Sequence, residues 1–174
     1  MKKHPPLQTA ILCLGLLALS SVQAETLSKA DYKTGKTHIQ DTYKTDKAAC
    51  QSHSGHAKNV CQQEAKAKEK VAHAELEYSY TGKTTDGNKV HVVKAETAYT
   101  VAKERCKDHE GNARNVCIQE AKATEQKALA EARKEAAVEK MEAEYKLAIE
   151  KCDALAGEAK THCEAAAKVK FGKH

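Results

Sequence analysis

The 174-residue chain has no tryptophan, one phenylalanine (Phe171) and two prolines, Pro5 and Pro6, both near its start. With so few large aromatics, a core built of bulky side chains is excluded. Without proline beyond position 6, nothing of that kind interrupts a helix. The longest apolar run, residues 10–19, is too short to cross a bilayer core of ~30 Å as a helix. No glycine-rich phosphate loop, His-Glu-x-x-His or Gly-x-Ser-x-Gly is present, so the common signatures of nucleotide, zinc-protease and serine-hydrolase chemistry are missing. A strong excess of one charge is missing too: 29 Lys and Arg face 24 Asp and Glu. That balance argues against nucleic acid as a partner, which would need basic residues concentrated on one face.

What is there begins with a leader-like start. Lys2 and Lys3 precede the apolar run, and Val22-Gln23-Ala24 supplies short residues where a secretory signal is cut. The expectation is export to the periplasm with cleavage after Ala24, which discards Cys13 and both prolines. Six cysteines remain, and loss of Lys2 and Lys3 lowers the formal net charge from +5 to +3. No second apolar segment suggests a membrane span in the mature chain. Lys and Glu alternate along it, as in Glu64-Ala-Lys-Ala-Lys-Glu-Lys70, which marks solvated helix surface. Alanine is abundant, and alanine packing alone is a weak source of burial energy at about 25 cal/mol per Å².

A threefold repeat is the strongest feature. Tyr43, Cys50, Gly55 and Cys61 recur as Tyr99, Cys106, Gly111 and Cys117, and again as Tyr145, Cys152, Gly157 and Cys163. Each tyrosine lies seven residues before its first cysteine, two helical turns back on the same face. Glycine sits midway between the cysteines, where a helix must stop and the chain reverse. Each cysteine is then ~8–9 Å from the reversal along its helix. Across an antiparallel pair the two sulfurs are level, with Cα atoms able to reach the ~5.5 Å a disulfide needs. Pairings Cys50–Cys61, Cys106–Cys117 and Cys152–Cys163 follow, and an oxidising compartment favours them.

The fold expected is all-α: three disulfide-clipped antiparallel helical hairpins, elongated or loosely bundled, over 25–80, 89–132 and 133–174. Residues 81–88 are rich in turn formers and predict a linker. No comparable break separates Ala113 from Ala156, which predicts a helix of ~40 residues shared by the second and third hairpins. Val138, Met141, Tyr145, Ala148, Cys152 and Leu155 form an alternating three-four seam on it. Tyr43, Tyr99 and Tyr145 read as seam residues rather than base-stacking platforms, and Tyr78 and Tyr80 as exposed residues on opposite sides of a helix end.

A metal reading competes with the disulfides in the first hairpin. Cys50, His53, His56 and Cys61 place two thiols and two imidazoles near one turn, a possible tetrahedral zinc set if reduced. The second hairpin keeps only His109 near its turn, and the third only His162. A ligand set that dissolves from copy to copy is more simply explained as polar turn residues. A Cys-x-x-Cys redox pair is not present.

Several segments carry a resemblance: Leu27-Ser-Lys-Ala-Asp-Tyr32, Tyr43-Lys-Thr-Asp-Lys-Ala-Ala-Cys50, Gly55-His-Ala-Lys-Asn-Val-Cys61, Val101-Ala-Lys-Glu-Arg-Cys106 and the terminal Phe171-Gly-Lys. Together they resemble uncharacterised exported proteins of β-proteobacteria, sometimes loosely labelled TolA-like. The resemblance covers essentially the whole mature chain and implies a periplasmic setting. It brings no catalytic residues and no cofactor. The function expected is non-enzymatic: a scaffold, spacer or stress-related binding module of the cell envelope, with an envelope protein as partner. The alternative is metal binding or redox buffering by Cys and His at the turns.

Overall fold

The computed structural model describes residues 26–173, and these are almost wholly helical. Five helices follow one another: α1 (Lys29–Ala49), α2 (Gly55–Thr81), α3 (Thr84–Arg105), α4 (Gly111–Asp153) and α5 (Gly157–Phe171). Among the described residues there is no strand.

Local chemistry sets the ends. Ser28 caps α1 by accepting from the Asp31 amide and donating to the Asp31 carboxylate, satisfying an otherwise orphaned N–H. Gly82, at φ 62°, ends α2 with its N–H donating to the Tyr78 carbonyl 2.8 Å away. Gly172, at φ 63°, closes α5 in the same left-handed manner, and the Lys173 N–H donates to the Lys168 carbonyl.

The helices pack in chain order. α1 lies on α2, α2 on α3, α3 on α4 and α4 on α5, and no helix pair distant in sequence packs extensively among the described residues. The contact between α2 and α3, which joins the first two hairpins, is the most extensive. This is an open row of antiparallel helices, not a closed bundle. Its longest member, α4, has 43 residues and so runs about 64 Å. α3 lies along most of it, and α5 along its final stretch. Asn88, near the start of α3, donates to Glu139 at 3.0 Å, while Lys173, just beyond α5, pairs with Glu142.

Packing is small-residue packing, as the composition demands. Among the described residues the buried apolar ones are Ile39, two valines, five alanines and the first cysteine of each pair. Ala65 sits between α1 and α2, Val90, Ala95 and Val101 lie on α3, and Ala132 and Ala167 lie on α4 and α5. Close approach replaces bulk: helix axes separated by alanines come near enough for backbone and Cβ atoms to supply the contact.

Three expectations are corrected. The linker over 81–88 shrinks to Gly82 and Lys83, because α2 continues through Thr81 and α3 begins at Thr84. Tertiary contacts override the poor helix propensity of Thr84-Thr85-Asp86-Gly87-Asn88. Asp86 accepts from the Thr81 hydroxyl at 2.6 Å, and Gly87 lets the Tyr78 ring lie so near that a Cβ there would stand 3.1 Å from it. The expected long helix is there as the unbroken α4, but the contacts of Asn88 and Lys173 place the handover from α3 to α5 between Glu139 and Glu142, later than 132/133. The seam proposed on α4 also frays: Val138, Met141 and Leu155 are exposed. α5 reaches back only to the level of Glu142 and Tyr145, so it does not cover Val138 or Met141.

Candidate functional site

The three turns share one construction. Cys50 and Cys61 have Cα atoms 5.6 Å apart, Cys106 and Cys117 5.7 Å, and Cys152 and Cys163 5.5 Å, each pair joined as a disulfide. After the first cysteine the chain makes one tight turn, in which the residue three further on donates its N–H to the cysteine carbonyl. The donors are His53, His109 and Leu155. The residue before each glycine is extended: Ser54, Glu110 and Ala156 all have ψ near 160°. Gly55, Gly111 and Gly157 then take φ of 55°, 54° and 58°.

These glycines hold the left-handed backbone that their midpoint position called for, but in a different place. They open the second helix of each hairpin and do not end the first. No atom crowds the Cβ position at any of the three, so backbone conformation is what favours glycine there.

Burial distinguishes the two sulfurs of each pair. Cys50, Cys106 and Cys152 are each 1 % exposed, whereas Cys61, Cys117 and Cys163 are half-buried. The disulfide is therefore sheathed on the side of the first helix.

The zinc set of the first hairpin is not assembled in this geometry. The sulfurs of Cys50 and Cys61 are bonded to each other, and His53 and His56 are exposed on the turn. Among the described residues, no group of three or more His, Cys, Asp or Glu side chains converges as a metal site. His56 instead reaches the second hairpin, with Nδ1 3.6 Å from an oxygen of Asp108. That contact puts the first two turns at the same end of the row. Both side chains are more than half exposed, so it contributes little stability.

The repeated tyrosines are half-buried beside the clips, and each carries a lysine near its ring. Lys47 stands 5.8 Å from the Tyr43 centroid, Lys122 4.8 Å from Tyr99 and Lys173 5.6 Å from Tyr145. Tyr145 also meets Phe171 edge-on at 5.9 Å. Lys122 is held further by Glu125, and that hydrogen bond raises its pKa above the ordinary lysine value. Lys160 is raised in the same sense by Asp153, which it meets across the third turn.

Two features escape the repeat. Tyr32 stacks on Tyr80 with ring centroids 4.4 Å apart and donates its hydroxyl proton to Glu77, so Tyr80 belongs to the α1–α2 packing while Tyr78 is the exposed one. The Glu77 hydrogen bond favours the protonated phenol and raises the pKa of Tyr32. Glu104 is buried on α3, with one carboxylate oxygen paired to Lys107 at 2.6 Å and the other unpartnered. Periodicity shows neither: the Tyr32 contacts depend on partners across a helix pair, and Glu104 is a charged residue buried on the packed face of α3.

Two grooves of about 660 Å³ each run along the α2–α3 contact. One is edged by Lys70, His73, Glu77 and Glu96, the other floored by Ala67, Val71, Ala98 and Val101. A third, of about 610 Å³, lies beside the Cys152–Cys163 clip against Leu147 and Phe171. These are open depressions between neighbouring helices. No helix of the described residues is long and apolar enough to cross a membrane. No family model, curated protein or solved structure matches the chain.

Proposed function

We propose that this protein is an exported, non-enzymatic spacer or scaffold of the bacterial cell envelope. The observation that carries the proposal is α4. One helix of 43 residues, about 64 Å long, is clipped at both ends to a neighbouring helix and flanked elsewhere by solvated charge. A rod braced in this way transmits length and orientation, and its side grooves offer docking places for helices of an envelope partner. The leader-like first 24 residues and the three intrachain disulfides support export to the periplasm, where such pairs persist.

Small-angle scattering on the mature protein tests the spacer reading. An extended row with a 64 Å spine should give a radius of gyration above ~20 Å, against ~15 Å for a compact chain of 150 residues. A value near the compact figure would overturn the reading. Export is tested separately by fractionating cells and labelling free thiols: protein in the periplasmic fraction with no reactive thiol is expected, and reduced protein in the cytoplasm would contradict it.

A further inference from the structure

The residue five positions before the first cysteine has a different fate in each hairpin. In the second hairpin it is Val101, 9 % exposed and covered by α2. In the first it is Thr45, polar, solvent-exposed and flanked by Asp41 and Asp46. In the third it is Leu147, apolar yet 51 % exposed. The first hairpin thus ends the row with a polar edge, as terminal units of repeat arrays do. The third presents an α3-like edge with nothing on it.

The internal contact shows what such an edge receives. α2 binds α3 through Ala67 and Val71, with ion pairs at both ends: Glu64 to Arg105, and Glu75 to Lys94 at 2.7 Å. Counting from the cysteines, Arg105 and Lys94 correspond to Lys151 and Lys140 on the vacant edge. Glu64 and Glu75 correspond to Glu120 and Glu131, on the first half of α4, and Ala67 corresponds to Ala123. The three glutamate, alanine and glutamate positions on that half are exposed, as are Lys140 and Lys151.

We propose that copies of this chain associate through these two edges. The segment 120–131 of one copy lies antiparallel on the segment 140–151 of another, in the register that α2 and α3 use. In that register Glu120 meets Lys151, Glu131 meets Lys140, and Thr124 covers Leu147. A third opposite-charge pair, Lys127 with Glu144, replaces the apolar contact of Val71 with Ala98. The edge of the first hairpin is a poor substitute, because Ala49 and His38, and no lysine or arginine, stand where Glu120 and Glu131 would need their partners.

Geometry also decides the kind of assembly. The two edges are 20 residues apart on α4, about 200° around it at 3.6 residues per turn. One neighbour cannot occupy both, so each copy engages a different neighbour on each side. The contact is heterologous and builds open chains or closed rings, not two-fold dimers. It would set spacers side by side, but it stands without the envelope reading because it is tested on purified protein.

The experiment is sedimentation equilibrium of the oxidised mature chain over a wide concentration range. Weight-average mass should rise with concentration past about twice that of the monomer. Lys151→Glu and Glu120→Lys, each alone, should stay monomeric with unchanged circular dichroism. Mixed one to one they should assemble again, since every contact in an alternating chain then joins opposite charges. Leu147→Asp should lose assembly and not be rescued by mixing. A wild-type chain that is monomeric throughout overturns the proposal, as does assembly indifferent to the charge reversals or a mixture that remains monomeric.

Discussion

Glu139 and Glu142 stand three residues apart on α4 and hold two different helices: Glu139 accepts from Asn88 near the start of α3, and Glu142 pairs with Lys173 beyond the end of α5. Between them the spine passes from one hairpin to the next without a break in its backbone. α3 has α2 on its other flank, whereas α5 has only α4. Stability should therefore be uneven along the molecule.

Removing the third clip shows that unevenness. α5 has 15 residues, a length marginal for an isolated helix in water. Closing a loop of about twelve residues is worth roughly 3 kcal/mol in the loop-entropy model. Cys152→Ser with Cys163→Ser should release α5, seen as loss of amide-exchange protection over Gly157–Phe171 while α2 and α3 keep theirs. Equal loss throughout would mean that the hairpins unfold as one unit.

The turn glycines should resist replacement through backbone conformation alone. Gly111 has φ 54° and open space around its Cβ position. Gly111→Ala is expected to cost about 1–2 kcal/mol by urea titration, and Gly111→Asn less, since asparagine tolerates the left-handed region better. Equal losses for both would point to a steric cause instead.

Alanine is structural where helices meet. Ala65 is 3 % exposed between α1 and α2, so Ala65→Leu should overpack the contact and destabilise by about 1–3 kcal/mol. Ala130→Leu, at an exposed position, should change stability by no more than about 0.5 kcal/mol. Thermal or urea melts of the pair distinguish close packing from a merely thin core.

Alkaline pH should loosen the first hairpin. Tyr32 has its pKa raised first by the hydrogen bond to Glu77, so the folded chain holds that proton more tightly than the unfolded chain. The contribution is fully present below the ordinary tyrosine value of about 10 and is lost as pH rises through the higher folded value. Ultraviolet titration should show one tyrosine ionising late, and Tyr32→Phe should remove that component. Six tyrosines ionising together would contradict the assignment.

Much of the fold was legible because it rests on covalent and periodic constraints. Cysteines eleven apart around a glycine leave few arrangements besides a clipped hairpin, and the helix formers between Ala113 and Ala156 carry no stop signal, so α4 could be anticipated. The start of α3 could not, because Thr84 to Asn88 are helical through Asp86 with Thr81 and the Tyr78 ring over Gly87, contacts invisible before folding. Val138 and Met141 misled for the opposite reason: their spacing fits a seam, but α5 stops at the level of Glu142 and both stay exposed. Periodicity shows which face could be buried, and chain length decides whether anything arrives to bury it.

A peptide map of the purified protein, digested without reduction, tests the pairing of sulfurs on which the hairpins depend. Three linked pairs are expected: Cys50 with Cys61, Cys106 with Cys117, and Cys152 with Cys163. A link between cysteines of different hairpins, or free thiols at these positions, would contradict it.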